Sequence, residues 1–105
     1  MGDRELLIIL YDYYGELFNE IQRRYFEEYY FDNLSLSEIS ENEDKSRNAI
    51  HKCIKNICSK LYEYEEILKL YEKGNNIKEI INMIDDDVIK NKLEKLIWII
   101  DYLYI

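Results

Sequence analysis

The side chains best placed to do chemistry lie between residues 45 and 60. Lys45, Arg47, Lys52, Lys55 and Lys60 are five bases in a stretch without an acid, while the whole chain carries 22 acids against 14 bases. With a net charge of −8, the rest of the molecule holds −13. Coating of nucleic acid over the whole surface is excluded, because phosphate binding needs a cationic footprint. A local cationic strip can still dock phosphates, with Ser46 and the first amides of a following helix as further donors. The residues expected to make such contacts are Lys45, Ser46, Arg47, Asn48, His51, Lys52 and Lys55.

Other reactive types offer less. His51, the one histidine, has no nucleophile nearby in sequence to activate. Cys53 and Cys58 diverge by roughly 140° if both sit on one helix, so they neither pair nor hold a metal and read as small buried hydrophobes. Asp85, Asp86 and Asp87 suit the positive end of a helix better than a metal, since consecutive acids there point in different directions. Most of the eleven tyrosines, Tyr25, Tyr29, Tyr64 and Tyr71 among them, sit at core spacings rather than on the basic side. With no phosphate-binding glycine loop either, the expectation is a protein without catalytic residues, cofactor or metal.

The elements that position these groups are helices. There is no proline and there are three glycines, so hairpin punctuation is missing. Leu6, Leu7, Leu10, Tyr13 and Tyr14 mark a helix over residues 4–15. Asn19 with Gln22 starts a second, to about Phe31, with Ile21, Tyr25, Phe26 and Tyr29 inward; Asn33 breaks it. Ser35 with Glu38 is a capping box for a short third helix to Asn42. Glu43-Asp44-Lys45 is a turn, and Ser46 caps a long fourth helix. Its seam of Ile50, Ile54, Ile57, Leu61, Tyr64, Leu68 and Tyr71 predicts continuity to a stop at Gly74. Asn76 with Glu79 then starts a short helix, and Ile89, Leu93, Leu96, Ile100 and Leu103 mark a last one.

The third helix, the turn and the fourth helix have the outline of a helix-turn-helix, with Ile39 and Ile50 placed to pack against each other. On the fourth helix Asn48, His51, Lys52, Lys55 and Ser59 fall outward, opposite Ile50, Cys53, Ile54, Ile57 and Leu61. The expected organisation is a helical domain over 1–73 and a helical extension over 74–105. Leu96–Ile105 is apolar nearly all round and must be covered either within the chain, as an antiparallel pair, or by a second copy; the preferred expectation is a homodimer contact through Leu96, Ile97, Trp98, Ile100, Leu103 and Tyr104. That stretch contains Asp101 and is about half a bilayer crossing, and the N-terminus shows no signal peptide, so a cytoplasmic, soluble protein is expected.

Leu10 to Leu17, Gln22 to Ile39 with its run Tyr29-Tyr30-Phe31-Asp32-Asn33-Leu34-Ser35-Leu36-Ser37-Glu38-Ile39, Ser46 to His51, and Tyr64-Glu65-Glu66 together resemble the YlxM family of small bacterial proteins. The likeness runs from about residue 6 to residue 73. It implies an all-α fold with a helix-turn-helix like region 4 of sigma factors, running into a long helix and a C-terminal helical extension. It also implies an accessory of the signal recognition particle (SRP) pathway that binds the SRP GTPase, the SRP RNA or both, with DNA-binding regulation as the alternative. The chain departs from the family pattern in the turn. Glu43, Asp44 and Lys45 replace an apolar residue, a glycine and another apolar residue, and Ser40 replaces an alanine. Two lost apolar contacts forgo roughly 1.5–3 kcal/mol each, which predicts a looser or re-packed turn.

Overall fold

The computed structural model describes the backbone of residues 2–104 and the side chains of residues 2–97. The protein is all-α, with no strand among the described residues. Its elements are α1 (Arg4–Tyr14), a single 3-10 turn (Gly15–Leu17), α2 (Glu20–Tyr30), α3 (Leu36–Glu43), α4 (Arg47–Leu68), α5 (Leu70–Asn82) and α6 (Asp87–Tyr104).

The helix starts are local chemistry. Asp3 Oδ1 accepts the Leu6 amide at 3.2 Å. Asn19 and Gln22 form a reciprocal box, as do Ser35 and Glu38. Ser46 Oγ accepts the Ala49 amide at 3.1 Å. Each such cap satisfies an amide that the helix itself leaves unpaired and contributes typically about 1 kcal/mol. Asp86 Oδ1 caps α6 through the amides of Val88 and Ile89, which gives the acidic run its structural role.

Helix α4 is the centre of the molecule. Its Ile50, Ile54, Ile57, Cys58 and Leu61 are buried against Leu7, Leu10, Tyr11 and Tyr14 of α1, Tyr25, Phe26 and Tyr30 of α2, and Ile39 of α3. Tyr11 stacks on Phe26 with ring centres 4.2 Å apart. Two hydroxyls of this core find partners: Tyr11 donates to Glu27 at 2.7 Å, and Tyr30 Oη lies 3.4 Å from Cys58 Sγ. Arg4 bridges the start of α1 to the end of α2 through the Tyr30 carbonyl and Asn33 Oδ1. The inward side of α2 differs from expectation at its first turn. Ile21 is exposed, and burial begins at Tyr25, where α1 and α4 cover the helix.

The largest departure lies after residue 68. The expected helix through Tyr71 is broken at Lys69, which adopts a left-handed conformation (φ 55°, ψ 34°). Gly74 does not terminate anything; it lies inside α5, as do Asn76 and Glu79. The break is held by side chains from two elements, Tyr14 of α1 and Glu65 of α4, bonded to each other and to backbone amides of α5. Tyr14 donates to Glu65 Oε1 at 2.6 Å and accepts the Leu70 amide at 3.1 Å. The Glu65 carboxylate also accepts the Tyr71 and Glu72 amides, so it caps α5 from the preceding helix. These bonds offset the roughly 1–2 kcal/mol that a left-handed L-residue costs. Beyond the break, α5 and α6 pack on each other and both touch α1.

Candidate docking surface

The turn between α3 and α4 sets the direction of the basic helix. Asp44 takes the left-handed conformation (φ 53°, ψ 45°) in place of a turn glycine. The Lys45 amide closes the end of α3 on the Ser40 carbonyl at 3.1 Å. Glu43 turns back towards α2, where Arg24 Nε and Nη2 grip its carboxylate at 2.6 and 2.7 Å. Only 10% of the Glu43 side chain remains exposed. The expected turn was looser or re-packed; the structure re-packs it, exchanging apolar contacts for a two-point ion pair. Ile39 and Ile50, both fully buried, complete the junction as anticipated.

A second carboxyl sits beside that pair. Glu28 Oε2 is buried without a hydrogen-bond partner among the described residues. Burial raises the Glu28 carboxyl above its ordinary range, and the neighbouring Glu43 charge adds to this. The Arg24 bonds hold Glu43 below its ordinary range. Glu43 is thus the ionised member that keeps Arg24 in place.

The predicted contact residues lie beyond this turn. Lys45, Ser46, Arg47, Asn48, His51, Lys52 and Lys55 are all exposed. Asn48, Lys52, Lys55 and Ser59 recur at helical spacing on the side of α4 opposite Ile50, Ile54, Ile57 and Leu61. Lys45, Arg47, Lys52 and Lys55 make no ion pair among the described residues, whereas Lys60 lies 4.0 Å from Glu63. Ser46 Oγ accepts the Ala49 amide, and the Arg47 and Asn48 amides have no hydrogen-bond partner among the described residues. Two cations on the outward face of α4, Lys52 and Lys55, and two at its N-terminal end, Lys45 and Arg47, are thus exposed along this segment. His51 makes no hydrogen bond among the described residues, and nothing around it forms a proton relay.

Of the predicted self-association residues, Leu96 is 55% exposed and Ile97 half-buried. Trp98, Ile100, Leu103 and Tyr104 lie outside the residues whose side chains are described. Two functional groupings escaped sequence reading, the Arg24–Glu43 clamp and the Tyr14–Glu65 latch. Their partners are 19 and 51 residues apart, and no local pattern joins them. Among the described residues, no helix is long and apolar enough to cross a membrane.

Comparison with known proteins agrees with this architecture. A family of YlxM/p13-like helix-turn-helix proteins matches residues 1–99. A UPF0122 protein of Clostridium kluyveri is 44% identical over 89 residues, covering 81% of this chain and 80% of its own length. One from Fusobacterium nucleatum is 40% identical over 88 residues, with 84% and 85% covered. One from Ureaplasma parvum is 38% identical over 93 residues, with 89% and 94% covered.

Proposed function

The chain belongs to the YlxM/p13-like helix-turn-helix family, and on that footing we propose that it is a non-catalytic accessory of the SRP pathway whose α4 ridge docks the SRP RNA, with the SRP GTPase as its protein partner. The observation that carries the docking part is the ridge itself. Lys52 and Lys55 stand on the outward face of α4, Lys45 and Arg47 lie exposed at its N-terminal end, and none of the four has an ion-pair partner among the described residues of an otherwise acidic molecule. Unneutralised charge is free to replace counterions on a phosphate backbone. The SRP assignment rests on the family resemblance. Binding through a small number of phosphates suits a partner that also offers protein contacts.

A second reading is a dimeric regulator that binds duplex DNA. The Arg24–Glu43 clamp favours it, because it ties the end of α3, beside the turn, to α2, and a firmly held helix-turn-helix frame is what groove insertion requires.

The test is a binding titration of the full chain against SRP RNA, an unrelated structured RNA of equal length, and duplex DNA. Four phosphate contacts predict a roughly 50- to 150-fold loss of affinity between about 50 and 200 mM salt. Lys52→Glu with Lys55→Glu should weaken binding and flatten the salt slope by about 2. Preference for SRP RNA, with recovery of the SRP GTPase on co-purification, supports the first reading. Discrimination among duplex sequences supports the second. Absence of binding to all three polymers would remove the ridge as a docking surface.

A further inference from the structure

A different part of the molecule presents the opposite chemistry. Ile67 at the end of α4, Ile77, Ile80 and Met83 along α5 and its exit, and Ile89 and Leu96 on α6 are between 48% and 79% exposed. Each helix buries only part of its apolar stripe. In α5, Leu70, Gly74 and Ile81 turn inward while Ile77 and Ile80 form a row along one flank. In α6, Lys90, Leu93 and Ile97 are half-buried, and Ile89 and Leu96, seven residues apart, share an open flank. Summed, the six side chains expose apolar surface on the order of 500 Å², a large part of the roughly 800 Å² that each partner of a standard interface buries.

We propose that a second copy of this chain covers this surface, α5 and α6 of one protomer packing on α5 and α6 of its partner about a two-fold axis. Charge selects the occupant. Residues 70–105 hold five bases and seven acids, net −2, whereas residues 1–44 hold three bases and twelve acids, net −9. Two copies that meet through the C-terminal helices bring little net charge together, and a strongly charged partner finds no complement there. This arrangement leaves both α4 ridges uncovered, and it stands whether or not those ridges bind nucleic acid.

The experiment uses the full chain. Light scattering behind size exclusion should give twice 12.9 kDa, falling toward 12.9 kDa on dilution. Ile80→Lys with Met83→Glu should raise the dimer dissociation constant at least about a hundredfold with an unchanged circular dichroism spectrum. Ile21→Lys, the same kind of change on the exposed start of α2, should leave the dimer intact. Should the double variant fail to fold, unmutated protein answers the question: lysine cross-linking of mixed light and heavy-isotope chains should join Lys78, Lys90, Lys92 or Lys95 across protomers. A mass of 12.9 kDa at every concentration overturns the proposal. So does a double variant that stays dimeric, loss of the dimer in Ile21→Lys, or inter-chain links confined to residues 45–60.

Discussion

Replacing Glu65 by alanine tests whether the break after α4 is built by tertiary contacts. Glu65 Oε1 receives the Tyr14 hydroxyl proton at 2.6 Å and the Tyr71 amide at 3.1 Å, and Oε2 receives the Glu72 amide at 3.2 Å. Losing the cap on α5 costs about 0.5–2 kcal/mol, by analogy with side-chain N-caps. Tyr14 is 1% exposed, so its stranded hydroxyl adds a further desolvation cost of about 1–3 kcal/mol. The expected destabilisation is about 2–4 kcal/mol, read as a fall of about 1–2 M in the urea midpoint by circular dichroism at fixed protein concentration. Glu65→Gln keeps an acceptor for Tyr14 and should lose less than half as much. Tyr14→Phe should cost about 1–2 kcal/mol, because it strands the Leu70 amide while Glu65 still caps α5. In the double variant Glu65→Ala with Tyr14→Phe no stranded hydroxyl remains, so the losses should fall short of additivity by about 1 kcal/mol. A Glu65→Ala protein within about 0.5 kcal/mol of the parent, or strict additivity, would refute the latch.

Alkaline pH should unfold the protein through two core tyrosines. Burial, with hydrogen bonds to Glu27 and Glu65 next, pushes Tyr11 and Tyr14 up to about 12. An unfolded tyrosine ionises near 10, so their stabilising contribution is complete below about pH 10 and is lost as pH rises through about 12. Urea midpoints should decline across that window together with cooperative appearance of phenolate absorbance; a flat profile would contradict the assignment. Glu28→Gln should stabilise the protein at pH 7 by about 0.5–1 kcal/mol, since an amide can donate to Glu43 where a carboxylate repels it. The gain should shrink as pH falls through the raised Glu28 value, where the native carboxyl is itself protonated and favourable. Equal gains at acid and neutral pH would count against the pairing with Glu43. Lys69→Gly should raise stability by about 0.5–1 kcal/mol by relieving the left-handed conformation without moving the break, and a loss of stability in the urea melt would contradict that geometry.

Most of the fold was written in short stretches of chain. Asp3, Asn19, Ser35 and Ser46 mark helix starts because a cap is made within three residues, and Ile50, Ile54, Ile57 and Leu61 mark the core face because helical period alone aligns them. The basic ridge was legible for the same reason: it is the outward half of that helix. What sequence could not decide is where α4 ends and how the turn before it is held. Lys69 carries no breaker chemistry, and the 4, 3 spacing continues past it to Tyr71. The chain bends there because Tyr14, 51 residues upstream of Glu65, offers partners that a straight helix would forgo. Arg24 likewise meets Glu43 only after α2 and α3 have packed. Capping and periodicity depend on neighbours along the chain, whereas the elbow and the clamp depend on which buried donors and acceptors the folded core brings within bonding distance, and only the tertiary structure supplies that.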